Sequence, residues 1–573
     1  MRCKSVHGTQ CDRRNLPERY SNPIDIILVD VLHECLVQKT TASRYFALSY
    51  VWGGAVTVTT TTQNLSVLQQ VGSLGDMKTL PPTVADAIVL TRKMGEQYLW
   101  VDCLSIIQDS PTKHQDIKNM DVIFSQAELT IVTTCGDDAT AALAGVRPNT
   151  RRRRTMSKQH GNCLLTLYLP TSKYGALNCT TYDSRGWTFQ EVLLSKRILL
   201  VSPQQLVFYC SRSRRSESIP MERPYSNDFG WGEINLFPKS NNVSCDMAML
   251  ASYSTVVKEY SGKCLSFQSD IENAFAGLAS IFEGWYEGSP VVHGYILACF
   301  AWSMMWMFDP GSHRKRSLSE VELGRKRSGF PTWSWVAWHA IVTSLGQRNL
   351  AMMLPVLSRV RNVEITLFNE QEHSCSWDIV DTTSTDHHAK SSCQRIHIEL
   401  NPKGQSVSSV PLSLLAFDAE YTCWHYYFAE PSSLYVGSLK LELPGITRFC
   451  GILSAPPNLE FINAALDRSA NAGESGKEWR LVRLYQFQLN PWTGVIDGIQ
   501  FMLQTIQDES DSSLSAEAFR EAFEKSELLF VLLVRRQGAF WERMGSGIMM
   551  EEYWPSIDGP ESFRSYQDRI VLI

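Results

Sequence analysis

Residues 45–54, YFALSYVWGG, read as a short apolar strand that runs straight into a paired-glycine turn. Downstream, LPPTVADAIVLTRKMG at 80–95 carries the period of a helix, with Val84, Ala87, Ile88, Thr91 and Met94 on one face and Gly95 as its stop. Thr83 and Asp86 stand at capping-box spacing behind Pro81-Pro82. QYLWVDCLSI, residues 97–106, is expected to be a second buried strand. Ile117, Met120, Ile123, Phe124 and Ala127 then mark a helical face, and LTIVTTC at 129–135 is a third strand. NCLLTLYL and RILLVSPQQLVFYC supply more strands, with RGWTFQEVLL at 185–194 between them. Strands separated by helices call for parallel pairing with right-handed crossovers. Residues 44–210 are therefore expected to form an α/β domain with a parallel, Rossmann-like sheet.

The chain of 573 residues has room for several domains at roughly 100–200 residues each. Ahead of the α/β domain lies an N-terminal entry segment, 1–43, with one apolar run at Ile24 to Leu32; MRCKSVHGTQCDRRNLPERY at its start has no apolar stretch, so no signal peptide is expected. Residues 211–350 read as a polar connector at 211–245 and a helical region that ends in the WSW motif at 333–335. Residues 351–573 alternate in runs such as SLYVGSLKLEL, WRLVRLYQFQL and LLFVLLVRR, the pattern of a β-rich region. The polar tracts 370–394 and 506–516 read as surface insertions. VVHGYILACFAWSMMWMF, 291–308, holds 18 residues without a formal charge, near the lower length of a membrane span; a buried helix is expected there instead.

A net charge of −5, from 54 basic and 59 acidic groups, gives no reason to expect nucleic acid as a partner. The 15 cysteines are irregularly spaced and include no CxxC pair, so reduced, mostly buried thiols in the cytoplasm are expected, with no metal site. GESGK at 473–477 fails as a phosphate loop, because Glu478 follows the lysine and Asn471 stands where the first glycine is needed. DHHAKSSC at 386–393 and RRRR at 151–154 read as solvated loops, and no GxSxG elbow occurs.

Four stretches in order resemble the fungal heterokaryon-incompatibility (HET) domain: ALSYVWG at 47–53, LPPTVADAIVLTRKMGEQYLWVDCLSIIQDS at 80–110, MDVIFSQAELTIVTTCGDDATAALAGV at 120–146 and RGWTFQEVLLSKRILL at 185–200. WSW and the ERMGSG at 542–547 are similar to elements found downstream in long members. Ser105-Ile106-Ile107-Gln108 departs from the Cys-Ile-Asn-Gln usual there, and Gly54-Ala55 replaces the usual Asp after Trp52-Gly53. The resemblance implies a role in fungal non-self recognition and programmed cell death. It also implies a distant likeness to TIR domains, several of which split nicotinamide from NAD with a glutamate in a Trp-x-x-x-Glu helix. Trp187 and Glu191 share that spacing. By the resemblance, Glu191 is the catalytic candidate, and Tyr50, Trp52, Gly53, Asp102 and Trp187 are the candidates for holding NAD as a substrate.

The chemistry suits one carboxylate. Cleaving an N-glycosidic bond builds positive charge on the ribose, and nicotinamide leaves without a strong general acid. The bland reading stands beside it: both tryptophans as core residues, Asp102 as a cap or a partner of Arg185, and Glu191 bound to a backbone amide. Two classes of function follow. One is an NAD glycohydrolase effector triggered by self-association or another protein. The other is a non-catalytic signalling, regulatory or interaction module, including one linked to a biosynthetic gene cluster. No cofactor is expected in either.

Overall fold

The computed structural model describes residues 2–8, 20–54, 58–76, 79–151, 155–161, 163–168, 180–217, 219–224, 244–285, 290–297, 303–308 and 324–344. Beyond 344 it describes the strands named below, with 538, 539, 552, 554 and 573. GESGK, DHHAKSSC, residues 152–154 and the tract 506–516 lie outside the described residues. The chain forms two compact units, Met1–Phe237 with Lys263–Gly284, and Pro238–Gly262 with Trp285–Ile573.

In the first unit the elements run α1 (Arg2–His7), β1 (Asp25–Asp30), β2 (Cys35–Thr40), β3 (Phe46–Ser49), α2 (Leu65–Leu68), α3 (Pro82–Lys93), β4 (Tyr98–Trp100) and α4 (Asp102–Ser105). They continue with α5 (Lys113–Lys118), α6 (Met120–Gln126), β5 (Leu129–Thr133), β6 (Thr155–His160), β7 (Cys163–Tyr168), α7 (Thr181–Ser184), α8 (Gly186–Leu194), β8 (Arg197–Val201), β9 (Leu206–Cys210), β10 (Ser213–Ser216) and β11 (Ile219–Pro224). Nine of these strands form one sheet in the order β11-β10-β9-β8-β5-β3-β4-β1-β2. Successive β3 residues face opposite sides. Phe46 and Leu48 join a core with Val84, Ala87 and Ile88 of α3, while Tyr45 and Ala47 join Met120, Ile123 and Phe124 of α6 on the other side. Helices thus cover both faces of the centre of the sheet.

The sheet is mixed rather than parallel throughout. Only β4, β3, β5 and β8 run parallel; β1, β2, β9, β10 and β11 join antiparallel. The reason is link length. Residues 202–205 alone separate β8 from β9, enough for a hairpin and far too few for a crossover. The polar stretch after residue 210, expected to be a connector, supplies β10 and β11. The second expected strand stops at Trp100, because the chain turns into α4 at Asp102, whose Oδ1 accepts from the Cys103 amide at 2.8 Å.

The expected capping box does not form at α3. Pro82 takes the first helical turn, Thr83 donates to the Ala141 carbonyl at 2.5 Å, and Asp86 accepts from the Leu143 amide and pairs with Arg147. Both side chains bind the 139–147 loop instead. Met94 is exposed, just past the buried face of the helix.

The second unit holds α9 (Ser244–Ser261), and α10 (Ala276–Trp285) closes the 263–284 segment of the first. The apolar run 291–308 is no single helix. It makes a hairpin of β12 (Val291–Val292) and β13 (Tyr295–Ile296) and then β14 (Trp306–Phe308), while 298–302 lie outside the described residues. His293 and Gly294 turn that hairpin at φ 47° and 79°, and a Cβ on Gly294 would stand 2.6 Å from the Trp335 ring. No helix among the described residues is long and apolar enough to cross a membrane. β15 (Val342–Ser344) pairs with β14.

An antiparallel-rich sheet follows: β16 (Glu364–Phe368), β17 (Ser374–Asp378), β18 (Glu399–Leu400), β19 (Leu414–Cys423), β20 (Tyr427–Ala429), β21 (Ser438–Leu443), β22 (Ile446–Ser454), β23 (Trp479–Gln488), β24 (Glu527–Gln537), β25 (Phe540–Met550) and β26 (Ser565–Leu572). β17 lies inside the tract expected to be a surface insertion.

Arg543 ties this sheet to the WSW segment. Its guanidinium is buried, lies 3.8 Å from the Trp306 ring centroid and donates to the carbonyls of Met304, Trp306 and Trp333 at 3.1, 2.7 and 3.2 Å. Arg543→Met keeps the bulk but leaves three buried carbonyls without that donor. We expect it to destabilise the second unit by about 3 kcal/mol or more, read from urea unfolding of the full chain by tryptophan fluorescence. Equal stability of the variant would show that those carbonyls find other donors.

Candidate functional site

Parallel strands deliver their following loops to one edge of a sheet, and ligands in open α/β sheets bind there. The loops after β3, β4 and β5 do so here. Tyr50–Gly53 follow β3, Asp102 follows β4, and residues 134–141 follow β5. Gly53 adopts φ +62°, and a Cβ placed on it would stand 2.2 Å from the Asp138 Cβ, so the β3 and β5 loops touch through a position that only glycine fills. The Ala139 amide donates to the Trp52 carbonyl at 3.3 Å across the same contact.

α8 brings the carboxyl group. Glu191, 6% exposed, accepts a short hydrogen bond on Oε2 from the Ser49 hydroxyl at the last residue of β3. Ser49 Oγ lies 2.5 Å from the Tyr182 hydroxyl, which donates to it. Ser195 Oγ donates to the Glu191 carbonyl at 2.6 Å, so side chain and backbone of Glu191 are both held.

Asp102 forms the second half of the site. The Trp52 indole Nε1 donates to its Oδ2 at 2.6 Å, and Tyr50 hydrogen-bonds the same carboxyl group. Burial pushes Glu191 up to about 8; the Ser49 hydrogen bond opposes the shift, the Asp102 charge adds to it, and Arg185 opposes it. Burial likewise lifts Asp102 to about 6 against the hydrogen bonds of Trp52, Cys103 and Tyr50 and the attraction of Arg185. Tyr50 and Tyr182 are pushed well above the ordinary phenol range by burial first and by these carboxylates next. Asp102, Glu191 and Arg185 therefore feel one another's charge. The arrangement sets two carboxyl groups and a guanidinium within reach of one another in a poorly hydrated setting.

The structure thus gathers Tyr50, Trp52, Gly53, Asp102 and Glu191 at one edge of the sheet. It does not bring Trp187 into that set: its ring packs against the core of Ile26, Leu28, Tyr45 and Trp100. Ser49, Tyr182 and Arg185 complete the group. Ser49 was visible inside ALSYVWG, where strand alternation turns it away from Tyr50. Tyr182 had no sequence signal.

An α/β sheet with a buried and a half-buried carboxyl group at the carboxyl edge of its parallel strands is the class that fold and site define. The model of the family described as heterokaryon incompatibility protein (HET) matches residues 45–191, the span from the start of β3 to Glu191 itself. Those residues are similar to the HET domain, as the four motifs implied. No curated protein and no solved structure matches the chain.

A carboxyl group raised on folding favours the folded state fully below its unfolded pKa, and that contribution is lost as pH rises through its folded pKa. For Glu191 the window runs from the ordinary 4.5 to about 8. Glu191→Gln stays neutral throughout. We expect wild type and variant to be about equally stable near pH 5 and the variant to be the more stable near pH 9, by urea midpoints. A gap that narrows as pH rises would show that the Glu191 charge is well solvated.

Proposed function

We propose that the chain is a heterokaryon-incompatibility-type protein whose first unit kills by cleaving NAD. The observation that carries this reading is the buried Glu191, fixed by Ser49 at the carboxyl edge of the parallel strands with Asp102 and Arg185 in electrostatic reach. In the reaction, the bond between the ribose carbon and the nicotinamide nitrogen breaks and the electron pair leaves with nicotinamide. Water then adds to the ribose carbon, giving ADP-ribose and a proton. Charge builds on the ribose before water arrives. A carboxylate with few waters around it stabilises that charge strongly, because little solvent competes. The burial that makes Glu191 costly to ionise at rest makes a cationic ligand its best counter-ion. The Trp187-to-Glu191 spacing, which the HET resemblance links to TIR domains, favours the same assignment for Glu191.

The test is nicotinamide release by the purified full chain at high protein concentration. Glu191→Gln should lower the rate by roughly 10²–10³-fold, as removal of one preorganised electrostatic group does. In wild type, kcat/KM should climb with pH toward the Glu191 value of about 8, since the free enzyme must lose that proton to act. Expression of the full chain in a fungal host should lower cellular NAD. Killing without NAD loss, unaltered by Glu191→Gln, would sink the reading and favour a signalling module that acts through a partner protein.

A further inference from the structure

The sequence offers no CxxC pair, yet folding gathers three soft ligands that are not among the residues of the Glu191 site. Cys3 and His7 are four residues apart on α1, one helical turn, and so share a face. Cys210 is the last residue of β9. His7 Nδ1 lies 3.7 Å from Cys3 Sγ and 3.7 Å from Cys210 Sγ, and all three atoms lie within 4.8 Å of one another. Both thiols are free of disulfides; Cys210 is buried, and Cys3 and His7 are half-buried. It is the one such group of potential metal ligands among the described residues.

We propose that these three side chains bind a zinc ion. Zinc–sulfur bonds of ~2.3 Å and zinc–nitrogen bonds of ~2.0 Å in a tetrahedron set the ligand atoms about 3.5–3.8 Å apart. The two separations to His7 already stand at that spacing. Two thiolates and an imidazole are the soft set that selects zinc over magnesium or calcium, whose sites are built of oxygens. Binding releases the two thiol protons and leaves the site neutral, which suits its half-buried setting. The buried Ser213 hydroxyl, 3.6 Å from Cys210 Sγ, is placed to donate to that thiolate from outside the coordination sphere. Three protein ligands leave a fourth position for water. The ion fastens α1 to the end of β9, joining positions about two hundred residues apart within the first unit.

The test loads the reduced full chain with zinc, removes the excess and measures bound metal. Cobalt replaces zinc in a parallel sample read by its thiolate charge-transfer absorption. Cys3→Ser and His7→Gln lie on a short helix whose Ser5 and Val6 are exposed, so they keep the fold testable where Cys210→Ser disturbs the sheet; far-UV circular dichroism verifies each. Each variant should lose one equivalent of zinc relative to wild type and weaken that site by more than the roughly 100-fold that losing a mere outer contact costs. Cobalt–thiolate absorption should fall in step, and NAD cleavage plays no part in either readout. Unchanged zinc content and cobalt absorption across the variants would overturn the proposal, since the other cysteines would then account for all bound metal. A Cys3–Cys210 disulfide that persists under reductant would overturn it equally.

Discussion

The Ser49 hydroxyl carries more of this fold than its size implies. It stands where β3 ends, fully enclosed, and serves the Glu191 carboxyl and the Tyr182 phenol together. Without it, the buried Glu191 carboxyl would lose the hydrogen bond that opposes its desolvation, a cost of roughly 1–3 kcal/mol. With it, α8 is fixed over the end of β3. A second polar seam holds the far end of the helix, where Ser195 Oγ meets Thr130 Oγ1 of β5 at 2.5 Å and also donates to the Glu191 carbonyl. Helix and sheet are joined by hydroxyls at two points, and rotamers with so few choices leave Glu191 one orientation.

That orientation also depends on a segment remote in sequence. Residues 263–284 fold back into the first unit, and Lys263 buries its ammonium against the Asp183 carboxylate at 2.9 Å and the Asp183 carbonyl at 2.6 Å. The Cys264 carbonyl accepts from the Gly186 amide at 2.8 Å, and its amide donates to the Ser184 carbonyl at 2.6 Å. These contacts brace the turn between α7 and α8 and thereby place Arg185 beside both carboxyl groups. The family match ends at Glu191 and leaves this brace out.

The centre of the first unit was legible because its signals are local. Apolar runs closed by glycine, one helical period in 80–95 and the order of four motifs give β3, α3, β5 and α8 directly. What failed was set by partners that sequence does not announce. Thr83 and Asp86 fit a capping box, yet the 139–147 loop offered Thr83 a carbonyl and Asp86 an amide and a guanidinium, and those won. The edges of the sheet were misread because hairpin links look polar, as a connector does. Residues 291–308 were misread because an uncharged run has no period to separate a buried strand from a helix; the turn at His293-Gly294 was the clue. Glu191 and Asp102 could be named from the family resemblance, while the roles of Ser49 and Tyr182 emerged only when β3 and α8 met.

Two carboxyl groups with different surroundings give the site its charge state. Trp52, Tyr50 and the Cys103 amide all donate to Asp102, whereas among the described residues Ser49 is the side chain that donates to Glu191, and burial acts on both. Burial and the Asp102 charge both push Glu191 toward its neutral form, while three donors hold Asp102 nearer its charged form. A cation arriving there changes the balance. It favours the loss of the Glu191 proton, because a second positive charge repays the desolvation that held the proton in place. The Glu191 charge would then appear when a cation is present to use it and stay suppressed otherwise.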